Sequence, residues 1–399
     1  MRILQVYPYY PPAWEHGGAL RVVHRLATRL VDRGHDVTVF TTDTHGEQGR
    51  VNTEDRINID GLTVKYFPNL SNWITKTLNL PLPIGFRRTL NATVTEYDVI
   101  HIHGFPHLLA VGVARAARRN DIPYIVTPHG AVNQPNEEEP PLLRGLFTKA
   151  FANSILSNAE TVTALTEDEK SRLKEIDVPI QRLVRIPNGV DLEELQSGDG
   201  DEFRQKHDLT TNQIVGFVGR LHKKKGLDIV TECAGGFRNE SDLSFVIIGP
   251  DDGYESAFRE QIRDCDLDNV SLLGYVSEAE KRDALDAMDI FLHPSYSEGQ
   301  PMAVLEACAT GTPVVISDRC SLPEIDAYNA GIVTEPSPGV VITAIEQLLS
   351  NAEQRQLMGE NAIQLVSEKF TWGSVVDRYE RLYEEIFTNS SSERRYPSI

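Results

Sequence analysis

One rhythm constrains this chain more than any other feature. Short β-branched runs alternate with helical stretches, and the rhythm is played twice. In the first half RILQVY (2–7), DVTVFTT (36–42), TVKYF (63–67), DVIHIH (98–103), PYIVTPHG (123–130) and TVTALT (161–166) read as strands. Helical segments such as 18–33, 106–119 and 142–158 lie between them. The pattern restarts after residue 210 with QIVGFVGR (213–220), LSFVIIGP (243–250), VSLLGYV (270–276), DIFLHPS (289–295), TPVVIS (312–317) and GIVTE (331–335). Strands that are apolar on both faces and separated by helices predict parallel, doubly wound sheets. The fold class is therefore α/β, with two Rossmann-like domains in tandem facing a cleft.

The 399 residues suit two or three domains. Asn188-Gly189 is a turn signal, and SGDGD (197–201) is polar and flexible. These place the domains at 1–190 and 191–371. A helix at 372–388 returns to the first domain, and 389–399 forms a flexible tail. The formal charge is 39 − 58 = −19, which argues against a nucleic-acid binder. Residues 1–190 carry 21 Lys and Arg against 20 Asp and Glu, leaving 39 − 21 = 18 against 58 − 20 = 38 in the rest. The acidity thus sits in the second half, and its outer surface is expected to be acidic, with the first half's ligand face neutral to basic. Four scattered cysteines form neither a disulfide framework nor a zinc site, and they fit a reducing cytoplasm. No apolar run approaches the length of a membrane span.

Ligands of open α/β sheets bind beyond the carboxyl ends of the strands, so chemistry is sought there. PSYSEGQPMAVLEACATGTPVV (294–315) has a loop carboxylate, Glu298, before a helix that opens near Pro301, with Glu306 one or two turns into it. Amides around Gly299, Gln300 and Met302 suit an oxygen-rich anion. Glu306 has apolar sequence neighbours and needs a partner. FVGRLHKKKGLD (217–228) puts Gly219, Arg220 and the 223–225 lysines in a cationic loop after a strand, which suits phosphate. At least one of those lysines reads as merely solvated.

Gly17 and Gly18 stand before an amphipathic helix, where a backbone can approach a ligand or simply enter the helix. His129 ends a strand in TPHGA; by spacing alone it reads as structural, although it could donate to a sugar hydroxyl. His101 and His103 alternate on one strand face without a third ligand, so no metal site is expected. SNWITKTLNLPLPIGFRRTL (71–90) mixes Trp73, Ile74, Leu78 and Leu80 with Arg87-Arg88, a pattern that can rest on a membrane surface or pack as an ordinary loop and helix.

Taken in order, these motifs resemble glycosyltransferase family four, retaining nucleotide-sugar enzymes of the GT-B fold. EGQPMAVLE resembles that family's two-glutamate signature, and GRLHKKKG its donor-phosphate motif. The HGG of the N-terminal loop, HIHG, TPHG, TALTEDEK, IPNGVD, SLPEI and W…YERLYEEI also fit, over roughly residues 2–387.

The resemblance implies a hexosyltransferase acting from a nucleotide sugar on a glycan, lipid-linked or small-molecule acceptor. A GT-B epimerase, a phosphorylase or a non-catalytic binding subunit are the alternatives. It implies that Arg220 and Lys225 hold the donor diphosphate, that Glu306 binds the ribose and Glu298 the sugar, and that His129 sits near the anomeric carbon. It also implies that Gly17, Gly18 and Gly219 let backbone close on the donor, with Gly299, Gln300, Pro301 and Met302 around it. No cofactor or essential metal is expected. Expected partners are the nucleotide sugar and acceptor, with peripheral membrane contact at the inner face and no nucleic acid. The chain departs from many members at Gln300-Pro301, where they have Phe-Gly, and Pro301 removes one amide.

Overall fold

A computed structural model describes residues 1–14, 18–45, 49–51, 56–71, 75, 81–130, 153–176 and 178–395. Gly17, Trp73, Ile74, Leu78 and Leu80 lie outside the described residues, as does most of the expected helix 142–158. The chain divides into two compact units, Met1–Pro187 with Val375–Ile399, and Asn188–Ser374.

The first unit is built on β1 (Arg2–Val6), β2 (Asp36–Thr42), β3 (Arg56–Ile59), β4 (Leu62–Phe67), β5 (Val99–His103), β6 (Tyr124–Thr127), β7 (Thr161–Ala164) and β8 (Leu183–Arg185). Among the described residues they form one sheet in the order β8-β7-β6-β5-β1-β2-β4-β3. Every pairing is parallel except β3 with β4. That antiparallel hairpin turns on Asp60-Gly61, both with positive φ, an Asp-Gly pair suited to a tight hairpin. A short antiparallel pair, Thr44–His45 with Gly49–Arg50, stands apart.

The two faces of this sheet differ. Leu4, Val6, Ile100, Ile102 and Val126 join the apolar core with Phe40 and Leu109. The alternate residues Gln5, His101, His103, Thr127 and Thr163 are fully buried yet polar. The C-terminal helix closes over them, since Tyr383 Oη lies 2.8 Å from His101 Nδ1. Arg33 fastens the same helix through Asp377 at 2.6 Å and Glu380 at 2.7 Å. That helix runs Trp372–Arg395, so residues expected to form a flexible tail from 389 are helical through 395. No glycine or proline interrupts the chain between Gly373 and Pro397, and proline disfavours helix just before itself. Thr388 also donates its hydroxyl back to the Glu384 carbonyl at 2.7 Å.

The second unit carries β9 (Gln213–Val218), β10 (Leu243–Ile248), β11 (Val270–Gly274), β12 (Ile290–His293), β13 (Val314–Ser317) and β14 (Gly331–Thr334). Their order is β11-β10-β9-β12-β13-β14, and all pairings are parallel. Ile214 and Val218 face one core cluster, while Val215 and Phe217 face another. Both faces are thus covered, which is why these strands read as apolar throughout. The carboxyl ends of β9, β10 and β12 carry the loops that matter next.

Candidate active site

In the second unit, β9 runs into Gly219 and Arg220, and a single 3-10 turn, Lys223–Lys225, follows. Gly226 has φ 71, and a Cβ there would stand 2.3 Å from the Pro294 carbonyl oxygen. Only glycine fits, and the close approach brings Lys225 against the loop after β12. Its ammonium lies 2.6 Å from Glu298 Oε1. His293, the last residue of β12, donates Nε2–H to the same oxygen at 2.7 Å.

Burial alone would raise the Glu298 carboxyl. The Lys225 ammonium and the His293 hydrogen bond outweigh it and hold the carboxyl well below the usual carboxylate range. Burial pushes the His293 imidazole down against its carboxylate partner. The result is a carboxylate fixed as an anion, with its charge matched by one lysine.

Arg220 is fixed from the other side. At Gly249, φ is 149 and an added Cβ would fall 1.8 Å from the Gly219 carbonyl oxygen. The loops after β9 and β10 therefore touch backbone to backbone. That contact sets Arg220 Nη1 2.6 Å from Asp252 Oδ2, with the arginine side chain 65% exposed. Such a guanidinium can exchange its carboxylate partner for a phosphate.

Glu306 sits on the helix Met302–Thr310 and has the partner its surroundings demanded. Lys281 Nζ lies 2.9 Å away, and 2.8 Å from Glu278. Burial lowers the Lys281 ammonium, but Glu306 and Glu278 more than reverse this and raise it. Among the described residues, the N–H groups of Gly299, Gln300 and Met302 have no protein acceptor, and Pro301 has no N–H to offer. The Gln300 side chain is committed elsewhere. Its Oε1 accepts from Asn188 N at 2.7 Å and its Nε2 faces Asn188 O at 3.4 Å. Gln300 can therefore serve an anion only through its backbone.

In the first unit, Gly18 opens the helix Gly18–Asp32, with nothing within 4 Å of the position a Cβ would take. His129 follows β6 at φ 54, a left-handed conformation uncommon outside glycine. Such a conformation costs about 1–3 kcal/mol and persists only where neighbours hold it. Glu169 supplies the hold. Its carboxylate accepts from Gly130 N at 2.7 Å and from Leu165 N at 2.8 Å, joining the ends of β6 and β7. Thr166 caps the helix Glu167–Glu175, which carries Glu169, by accepting from Glu169 N at 3.2 Å. Burial pushes the His129 imidazole down to about 4, so it is neutral near pH 7.

Two of these residues carry signals that a reading of motifs alone passes over. His293 ends a strand before a proline, as does the segment that carries His129. Glu169 lies three residues after Thr166, the spacing of a capping box. Lys281 and Asp252 announce themselves by nothing local. Among the described residues no cluster of His, Cys, Asp or Glu is arranged to hold a metal ion, and no helix is long and apolar enough to cross a membrane.

Comparison with known proteins agrees with the fold of both units. Residues 17–189 match the family described as "Glycosyl transferase 4-like domain", and residues 199–365 the family "Glycosyl transferases group 1". The chain is 25% identical over 387 residues to the phosphatidylinositol N-acetylglucosaminyltransferase gpi3 subunit of Schizosaccharomyces pombe, covering 94% of this chain and 79% of that protein. It is 26% identical over 395 residues to the D-inositol 3-phosphate glycosyltransferase of Corynebacterium aurimucosum, covering 94% and 92%. Among solved structures, the sucrose-phosphate synthase of Thermosynechococcus elongatus superposes with TM-score 0.76 at 20% identity, covering 97% of this chain and 99% of the other. Anabaena HepE in complex with UDP-glucose superposes with TM-score 0.75 at 19% identity, covering 96% and 100%.

Proposed function

This chain is a glycosyltransferase with the GT-B fold, and from that premise we propose that it moves a hexose, with retention at the anomeric carbon, from a nucleoside-diphosphate sugar to a hydroxyl acceptor. The observation that carries the reading is the pair of cations in the loop after β9, Arg220 and Lys225, each set against a carboxylate, with unpaired amides on the loop after β12.

In the reaction the bond from the anomeric carbon to the diphosphate oxygen breaks, and its electron pair leaves with the nucleoside diphosphate. Arg220 and Lys225 face that growing negative charge, together with the N–H groups of Gly299, Gln300 and Met302. The Gly219 N–H is already given to the Ile248 carbonyl at 2.9 Å, so Gly219 contributes only its lack of a side chain. Fixed donors aimed at departing oxygens lower such a barrier. The acceptor hydroxyl forms the new bond and gives up its proton. Glu298 accepts hydroxyl hydrogens of the sugar, and Glu306 those of the ribose. Gly17 and Gly18 admit backbone close to the diphosphate, and His129 donates to a ligand oxygen as a neutral imidazole. No metal or cofactor is required in this scheme.

UDP-hexoses are the first donors to try, because the HepE neighbour holds UDP-glucose. Inositol phosphates and inositol lipids are the first acceptors, after the names of the curated relatives. We place the enzyme in the cytoplasm, with peripheral contact at the membrane's inner face. Leu70 and Ile84 are 61% and 52% exposed on the stretch that leads to Arg87 and Arg88, which supports such contact.

The test is Arg220→Ala. Its pair with Asp252 is exposed, so the fold should survive with a loss of at most about 1 kcal/mol. Transfer should fall by about a hundredfold or more. Near-normal turnover with the matched donor would overturn the assignment.

A further inference from the structure

The buried polar face of the first sheet contains histidines that the scheme above leaves idle. His101, His103 and His107 are all buried. His103 Nδ1 lies 3.1 Å from His129 Nε2, and the two rings stack with centroids 5.3 Å apart. His103 Nε2 is buried without a partner. We propose that His103 is a positioning residue that fixes the tautomer of His129, donating its Nδ1–H in a hydrogen bond to the unprotonated His129 Nε2 so that His129 turns an N–H at Nδ1 toward the ligand. The inference rests on the reading of His129 as ligand-facing.

The argument is one of proton placement. Two nitrogens 3.1 Å apart need one proton between them. If His129 Nε2 carried it, neutral His103 would keep its own proton on Nε2. That would leave a buried N–H with nothing to bond. If His103 Nδ1 carries it, Nε2 is a bare acceptor instead. Orphaned buried donors are the rarer condition, so the second arrangement wins. His129 then holds its remaining proton on Nδ1. Both rings stay neutral, because burial pushes each imidazole down.

His103 is itself held in place. His107 Nδ1 accepts from Ala110 N at 3.1 Å, so His107 must be protonated on Nε2. That N–H donates to the His103 carbonyl at 3.0 Å. On its other side the His101 ring lies 3.7 Å from the His103 ring, centroid to centroid. A neutral N–H held this way donates to a hydroxyl or ether oxygen without bringing a charge toward an oxocarbenium-like centre.

The experiment uses the full chain labelled with 15N-histidine, with His129→Gln assigning the His129 signals. In the wild type, Nε2 of His129 should show the pyridine-type signature of an unprotonated nitrogen, and Nδ1 the pyrrole type. His103→Asn puts an amide N–H where Nδ1–H stood. It should keep that signature and most of the turnover. His103→Leu should mix the tautomers and cost about tenfold in kcat, the scale of one buried hydrogen bond left unmade. A pyrrole-type Nε2 in the wild type overturns the proposal. So does wild-type tautomer and turnover in a folded His103→Leu protein. Should His103→Leu fail to fold, the wild-type and His103→Asn spectra decide the matter alone. The spectra also stand if no transfer is found, so failure of the functional reading is told apart from failure of this one.

Discussion

The two units share one plan, a parallel sheet covered on both faces, but they handle polar chemistry in opposite ways. The first buries polar groups and keeps them neutral, with His101, His103, His107 and His129 all lowered by burial. The second gathers full charges at its strand ends and matches each with its opposite: Lys225 with Glu298, Lys281 with Glu306, Arg220 with Asp252. A site that takes an anionic diphosphate needs charge that is present yet exchangeable. A layer buried beneath a helix cannot carry net charge without a large desolvation cost. The same architecture thus serves two tasks: the first unit sets neutral polar side chains on its strands, and the second sets charged ones on the loops and helices that follow its strands.

Acid should break the comparison most strongly. Below pH 6.5 the unfolded chain takes up protons that the folded histidine layer refuses, until about pH 4, where His107 and His129 themselves titrate. Stability of the first unit therefore falls as pH drops through this window, by about 1.4 kcal/mol per pH unit for each such histidine. In the second unit the Glu298 carboxylate is ionised throughout it, and burial lowers His293 there, against His101, His103, His107 and His129 in the first. Amide exchange should accelerate along β5 and β6 before β12, and simultaneous loss in both units would contradict the contrast.

Lys225→Ala comes next. It leaves the Glu298 carboxylate buried and unpaired, so thermal or denaturant unfolding should show a loss of about 3–5 kcal/mol. Adding Glu298→Gln should return part of it. Glu169→Gln, in the first unit, should cost less. One amide oxygen cannot replace two carboxylate oxygens that accept Gly130 N and Leu165 N. A loss of about 1.5–3 kcal/mol is expected, with exchange at Gly130 rising more than elsewhere.

Much of this was legible in the residues. Each apolar run named from sequence is a strand within three residues of its bounds, because parallel strands buried on both faces carry no competing pattern. The hairpin partner Arg56–Ile59 was missed although Asp60-Gly61 marks its turn. The C-terminal helix outran its expected end because Asn389 to Ser392 look like a loop by composition, whereas nothing there forces a break. At the site, Glu298, Arg220 and Lys225 stood out through motif and charge. Their partners His293 and Asp252 did not, nor did Lys281, the partner of Glu306. An ion pair such as Lys281 with Glu306 joins residues 25 apart through packing that no local pattern encodes.

The most direct test of the split between the units is calorimetric titration of the full chain with the matched nucleoside diphosphate, comparing Arg220→Ala, Glu169→Gln and His129→Ala with the wild type. Arg220→Ala should weaken binding by about 1.5–3 kcal/mol, the worth of a hydrogen bond to a charged group. The two first-unit variants should leave the Kd unchanged. Wild-type affinity in Arg220→Ala, or an equal loss in His129→Ala, would contradict the assignment of the diphosphate to the charged strand ends of the second unit.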